Sequence, residues 1–132
     1  MEIIYEVGMN PGAEAIIELY NNSGLPRPIE QKERIAKMYE HSNLVVSAWH
    51  NGKLVGVSRS LTDFSWCCYL ADLAVRKEYK KQGIGKKLIE LTKENISDES
   101  MLLLLSVPTA MEYYPKIGLK KIDCAFMINR EK

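Results

Sequence analysis

Between Cys68 and Val107 the chain carries an apolar run, a charged loop with a Gly-Ile-Gly step, a segment with helical spacing and a second apolar run. CYLADLAV, residues 68–75, is apolar except at Asp72 and reads as a central strand. Ile84, Leu88, Ile89 and Thr92 then recur on one helical face, predicting a helix that runs to Asn95. MLLLLSV, residues 101–107, has the length and flanks of a buried strand. A strand–helix–strand unit of this kind must lay its helix on a sheet, which points to an α/β or α+β layer architecture.

The remaining segments fit around that unit. Residues 2–7 alternate as a first strand. Asn10-Pro11 offers an N-cap and first helical position, followed by Ala13, Ile16, Ile17 and Tyr20 at helical spacing. Gly24 and Pro26 end that helix. Residues 29–40 predict a second helix with Ile35, Met38 and Tyr39 on its apolar stripe. Strands are expected at 44–49 and 54–61, joined through Asn51-Gly52, a pair that accepts the positive φ of a tight hairpin. Asp63 to Ser65 reads as a turn, 109–117 as a short helix ended by Gly118, and 123–128 as a last strand. There is no internal repeat, low-complexity tract or linker, so a single domain over residues 1–132 is expected.

Composition narrows the function classes. The chain is 46% hydrophobic and 27% charged with a formal net charge of +1, so no nucleic-acid partner is expected. Its apolar runs are too short to span a bilayer, and MEIIYEVG lacks a basic segment with a signal-length apolar stretch. No membrane partner and a cytoplasmic location follow as expectations. Cys67, Cys68 and Cys124 are odd in number and lack a repeated spacing, which argues against a disulfide framework. Adjacent Cys67 and Cys68 point to opposite faces of a strand, one core and one exposed. They do not have metal-ligand spacing, and His41 and His50 have no evident ligand partners, so no metal is expected. A Cys–His acyl-transfer centre would need one of these histidines brought to the cysteines by tertiary structure.

VRKEYKKQGIGKKLIEL, residues 75–91, is the most informative stretch. Gly-x-Gly lies between a predicted strand and a predicted helix, where glycine allows a tight turn and close approach of a ligand. The helix N-terminus then offers unpaired amides and a dipole that favours an anion. Lys80, Lys81, Lys86 and Lys87 surround it. A Walker A loop is excluded because position 80 is not glycine and Lys87 follows Lys86. The dinucleotide fingerprint is excluded because position 88 is leucine.

Lys80-Lys81-Gln82-Gly83-Ile84-Gly85 resembles the motif Arg/Gln-x-x-Gly-x-Gly/Ala of the GCN5-related N-acetyltransferase (GNAT) family, with YLADLAV upstream and KKLIEL downstream. The departure is Lys80, which keeps the charge but lacks the guanidinium fork. The resemblance implies a mixed, mostly antiparallel sheet in which the parallel strands 68–75 and 101–107 splay apart. It also implies acetyl-CoA as cosubstrate. Backbone groups of Leu73, Ala74 and Val75 would hold the pantetheine arm. Amides of Gln82, Gly83, Ile84, Gly85 and Lys86, beside Lys80 and Lys81, would hold the pyrophosphate.

Tyr114-Pro115-Lys116-Ile117-Gly118-Leu119 resembles the family's closing motif, Tyr-x-Lys-x-Gly-Phe/Leu. That likeness makes Tyr114 the candidate general acid, protonating the departing thiolate. Tyr113 is expected to pack. Asp72 has two readings: it orients or deprotonates the acceptor amine, or it satisfies local polar groups. Glu30, Glu33 and Asp63 are alternative acids, and Trp49 and Trp66 are candidates for a pocket wall or the core. The expected activity is acetyl transfer to a primary amine of a small-molecule acceptor by direct attack. The alternative is a weakly catalytic acetyl-CoA-binding regulatory domain. Leu25-Pro26-Arg27-Pro28 either lines the acceptor opening or merely joins two helices. Exposed sheet edges leave a homodimer open.

Overall fold

The computed structural model describes residues 2–132. Five strands form one sheet in sequential order: β1 (Ile4–Val7), β2 (Leu44–His50), β3 (Lys53–Thr62), β4 (Cys67–Val75) and β5 (Met101–Leu104). The first three junctions are antiparallel and β4–β5 is parallel. Helices α1 (Ala13–Ser23) and α2 (Lys32–Glu40) precede β2, α3 (Ile84–Glu94) connects β4 to β5, and α4 (Tyr113–Lys116) follows β5. This is the mixed, mostly antiparallel sheet flanked by helices that the family resemblance implied.

Leu54 to Ser60 are all buried because both faces of β3 are covered. On one side Leu54, Val57, Val45 and Ala74 pack with Ile16, Leu19 and Ile35 of α1 and α2. On the other, Val46, Ala48 and Val55 meet Ile84 and Leu88 of α3. A fully buried leucine such as Leu88 contributes on the order of 2 kcal/mol. Gly56 permits the close approach of α3. A Cβ there would lie 3.1 Å from Ile84 and 3.2 Å from Leu88. The hairpin turn has Asn51 at φ 51° and Gly52 at φ 76°, the positive pair its sequence predicts.

Several expected boundaries move. Gly12 at φ 96° is the N-cap of α1, and Asn10 accepts a hydrogen bond from its N–H at 2.9 Å. The second helix starts at Lys32 because residues 27–31 are taken up in turns, with Gln31 N–H donating to Pro28. The expected 109–117 helix divides into a 3-10 turn, Pro108–Ala110, and the short α4. No strand forms at 123–128: residues 119–132 run without secondary structure and largely exposed. A strand pattern becomes a strand only when its backbone pairs with a sheet edge, and residues 119–132 are paired with none.

One charge cluster ties these layers together. The Asp72 side chain is 0% exposed and receives Arg27 Nε at 2.7 Å and Arg59 Nε at 2.9 Å. The Tyr20 hydroxyl donates to it at 2.6 Å, and Tyr39 hydrogen-bonds Tyr20. Burial works against the carboxylate, but hydrogen bonding and charge from Arg59, then Tyr20 and Arg27, outweigh it and hold the Asp72 pKa below its ordinary value. Burial pushes both phenols up, so Tyr20 and Tyr39 stay neutral. A depressed carboxylate pKa gives stability that is present above the unfolded value, ~3.9, and is lost as pH falls through the folded one. Asp72→Asn leaves two arginines facing a neutral amide and is expected to cost about 3–5 kcal/mol in urea unfolding at neutral pH. It should also flatten the acid limb of stability between pH 5 and 2, roughly. Unchanged unfolding would contradict this assignment.

Candidate active site

The site begins with one extra backbone residue. Arg59 pairs with Asp72 but Ser60 pairs with Leu70, so Ala71 bulges from β4. On the opposite edge, pairing with β5 runs from Cys67–Met101 to Leu70–Leu104 and stops. Past the bulge, Asp72–Val75 stay paired to β3 on one side and leave a backbone edge open on the other. Leu105–Val107 were expected to continue β5, but the parting of the strands removes their partner.

The next turn is fixed from α1. Arg76 Nε donates to Leu54 carbonyl at 2.8 Å, and its guanidinium pairs with Glu18. Asn22 accepts from Lys77 N–H and donates to Glu78, at 2.9 and 3.0 Å. The chain then passes through Lys81 at φ 65° and Gly83 at φ 81°. Left-handed residues alternating with ordinary ones turn successive amides toward one side. Gly83 caps α3 without a side-chain hydrogen bond, and no acid lies in the first turn. The first amides of α3 are thus free to meet an anion.

These parts border one cleft of about 740 Å3. Leu73, Ala74 and Val75 form its strand wall, and Lys80, Lys81, Gly83, Ile84, Gly85 and Lys86 its lysine-rich end. Gln82 is outside the lining, its side-chain amide 3.5 Å from Glu78 carbonyl. Tyr114 lines the cleft and Asp72 does not. Both Asp72 oxygens are engaged in the buried cluster, which gives the carboxylate a positioning part rather than access to an acceptor. Burial raises the Tyr114 pKa, with Tyr113 adding to it, so the phenol retains its proton at neutral pH.

Tyr113, expected only to pack, also faces the cleft. Its hydroxyl lies 2.9 Å from the position a Cβ on Gly85 would take, so glycine leaves that space to the phenol. The two tyrosine rings meet edge to face, 5.3 Å between centroids. Of the Leu25–Pro28 loop, Leu25, Pro26 and Arg27 line the cleft rather than merely joining two helices, and Arg27 does so where β4 and β5 part. Its tie to Asp72, 45 residues away, leaves no local pattern.

The other candidates go elsewhere. Asp63 caps the turn through the amides of Ser65, Trp66 and Cys67, which hold its carboxyl down to about 2. Glu30 and Glu33 are exposed and outside the cleft. Cys68 is buried, with its thiol pKa raised by burial, and Cys67 is exposed, as their alternation predicted. His50 bonds Tyr79 hydroxyl at 2.7 Å and His41 bonds Lys37 carbonyl at 3.0 Å, so neither ring engages a cysteine. Trp49 is half-buried on Ser47, while Trp66 is exposed.

An open strand edge, uncapped helix amides and neighbouring lysines together fit a ligand with an amide-bearing arm and a diphosphate, the chemistry of a CoA thioester. Comparison with known proteins agrees. The model of the acetyltransferase (GNAT) domain matches residues 20–129. The fold is shared with a probable acetyltransferase of Staphylococcus aureus (TM-score 0.80, 22% identity, covering 96% of this chain and 99% of that one). It is also shared with a GNAT-family acetyltransferase of Streptococcus pneumoniae (TM-score 0.79, 22% identity, covering 98% and 100%). A β-lysine N6-acetyltransferase of Methanococcus maripaludis is 26% identical over 98 residues, 74% of this chain. That match spans only 36% of the relative's length. With the family model covering most of its length, the splayed sheet and the glycine-capped helix of this chain belong to the GNAT family of acetyltransferases.

Proposed function

We propose that the protein transfers an acetyl group from acetyl-CoA to a primary amine of a small-molecule acceptor by direct attack. The observation that carries this reading is the continuity of one cleft from the open edge Ala71–Val75 to the uncapped start of α3. Acetyl-CoA supplies the activated acetyl thioester. The β4 edge binds the pantetheine arm as an added strand, using backbone groups that β5 leaves free. Gly83, Ile84, Gly85 and Lys86 amides, with Lys80 and Lys81 nearby, neutralise the diphosphate.

Tyr114 holds a proton on a phenol within the cleft, suited to donation toward a departing thiolate. Among the described residues lining the cleft there is no aspartate or glutamate. The acceptor amine therefore loses its proton to water rather than to a neighbouring carboxylate. Similarity to a relative named for acetylating the N6 amine of β-lysine supports a small primary-amine acceptor.

Calorimetry should give saturable binding of acetyl-CoA and CoA, with ATP and NAD much weaker. Gly83→Val puts a β-branched residue at φ 81° and should weaken CoA binding in a protein that still unfolds cooperatively. Absence of CoA binding by the folded wild type would remove the reading. Tyr114→Phe should retain CoA binding but lower kcat by about 100-fold or more. Unchanged turnover would remove Tyr114 as the acid.

A further inference from the structure

Cations line the cleft at two places, and the proposed cosubstrate accounts for only one. Lys80, Lys81 and Lys86 lie at the diphosphate end. At the other, the loop between α1 and α2 presents Arg27 beside Leu70 and Ala71, where β4 and β5 part. Arg27 is held on three sides: Nε to Asp72 at 2.7 Å, Nη2 to the bulge carbonyl of Ala71 at 2.9 Å, and Nη1 to Pro26 carbonyl at 2.6 Å. A guanidinium has about five N–H donors, so about two are left. The side chain is 24% exposed, whereas Asp72 is sealed.

The local charge does not cancel. Arg27 and Arg59 share the single carboxylate of Asp72, and the neighbouring phenols stay neutral. The cluster thus keeps one unit of positive charge and exposes it at Arg27. An acceptor consisting only of an ammonium group would meet like charge there. An acceptor with an anionic group would meet a preoriented guanidinium.

We propose that Arg27 binds an anionic group on the acceptor, so that the substrate class is amines carrying a carboxylate or a phosphate. This rests on the acetyltransferase reading above. The test is acetylation of matched pairs: ω-amino acids against their amides, and aminoalkyl phosphates against the amino alcohols. The anionic member should have the higher kcat/KM by about 10- to 100-fold, and whichever pair shows it identifies carboxylate or phosphate. Arg27→Gln should collapse that ratio through the acceptor KM, and Arg27→Lys should recover part of it. Equal rates within every pair, or a preference for the uncharged member, would overturn the proposal while leaving the acetyltransferase reading intact. So would a ratio unchanged in Arg27→Gln. Wild-type ratios decide the matter even where Arg27→Gln does not fold. Failure of every amine, with CoA bound, would overturn both.

Discussion

The parting of β4 from β5 at Leu70 is the constraint on which the rest of the site depends. β4 stays bonded to β3 beyond that point, so the edge it exposes is rigid rather than frayed. The cause is local, a bulge at Ala71, but its hold is tertiary. Asp72, the next residue, is clamped by Arg59 from β3 and Arg27 from the α1–α2 loop. Arg27 also takes the carbonyl of the bulged residue. A buried carboxylate with two cations is a costly device for stability alone. Here it fixes a backbone distortion and leaves a positive charge facing the cleft.

The second half of the site is made by helix ends and glycine. α1 steadies the turn after β4 through Glu18 and Asn22, and the turn delivers the chain to Gly83 in the left-handed region. α3 is anchored on β3 because Gly56 lets it approach and Leu88 is fully buried. Its first amides therefore point to a fixed place. Lysines add charge there without direction, and the amides add direction.

Most of this frame was legible in local pattern. Asn51-Gly52 marked the hairpin, the lone charge of Asp72 marked a special position in an apolar strand, and Gly83–Gly85 marked the turn into α3. What was not legible depends on residues far apart in the chain. Ala71 is an ordinary strand residue, and nothing in its neighbourhood announces a bulge. The loop that holds Arg27 has two readings, cleft lining or connector, and nothing local shows that Arg27 reaches Asp72. Arg59 could have been suspected, since it is the charged member of an otherwise uncharged run facing β4. The segment 123–128 failed in the opposite way: its pattern suits a strand, but pairing needs an edge, and an edge is a tertiary property. Tyr113 was assigned to packing because its neighbour carried the motif, although both phenols face the cleft.

Amide hydrogen exchange with and without saturating CoA tests the central claim most directly. Slowed exchange is expected in two stretches, at the amides of Ala71–Val75 that are not bonded to β3 and at Gly83–Lys86, where the strand edge and the helix start lack partners. CoA binding that leaves both stretches unchanged, or protects a different surface, would contradict it.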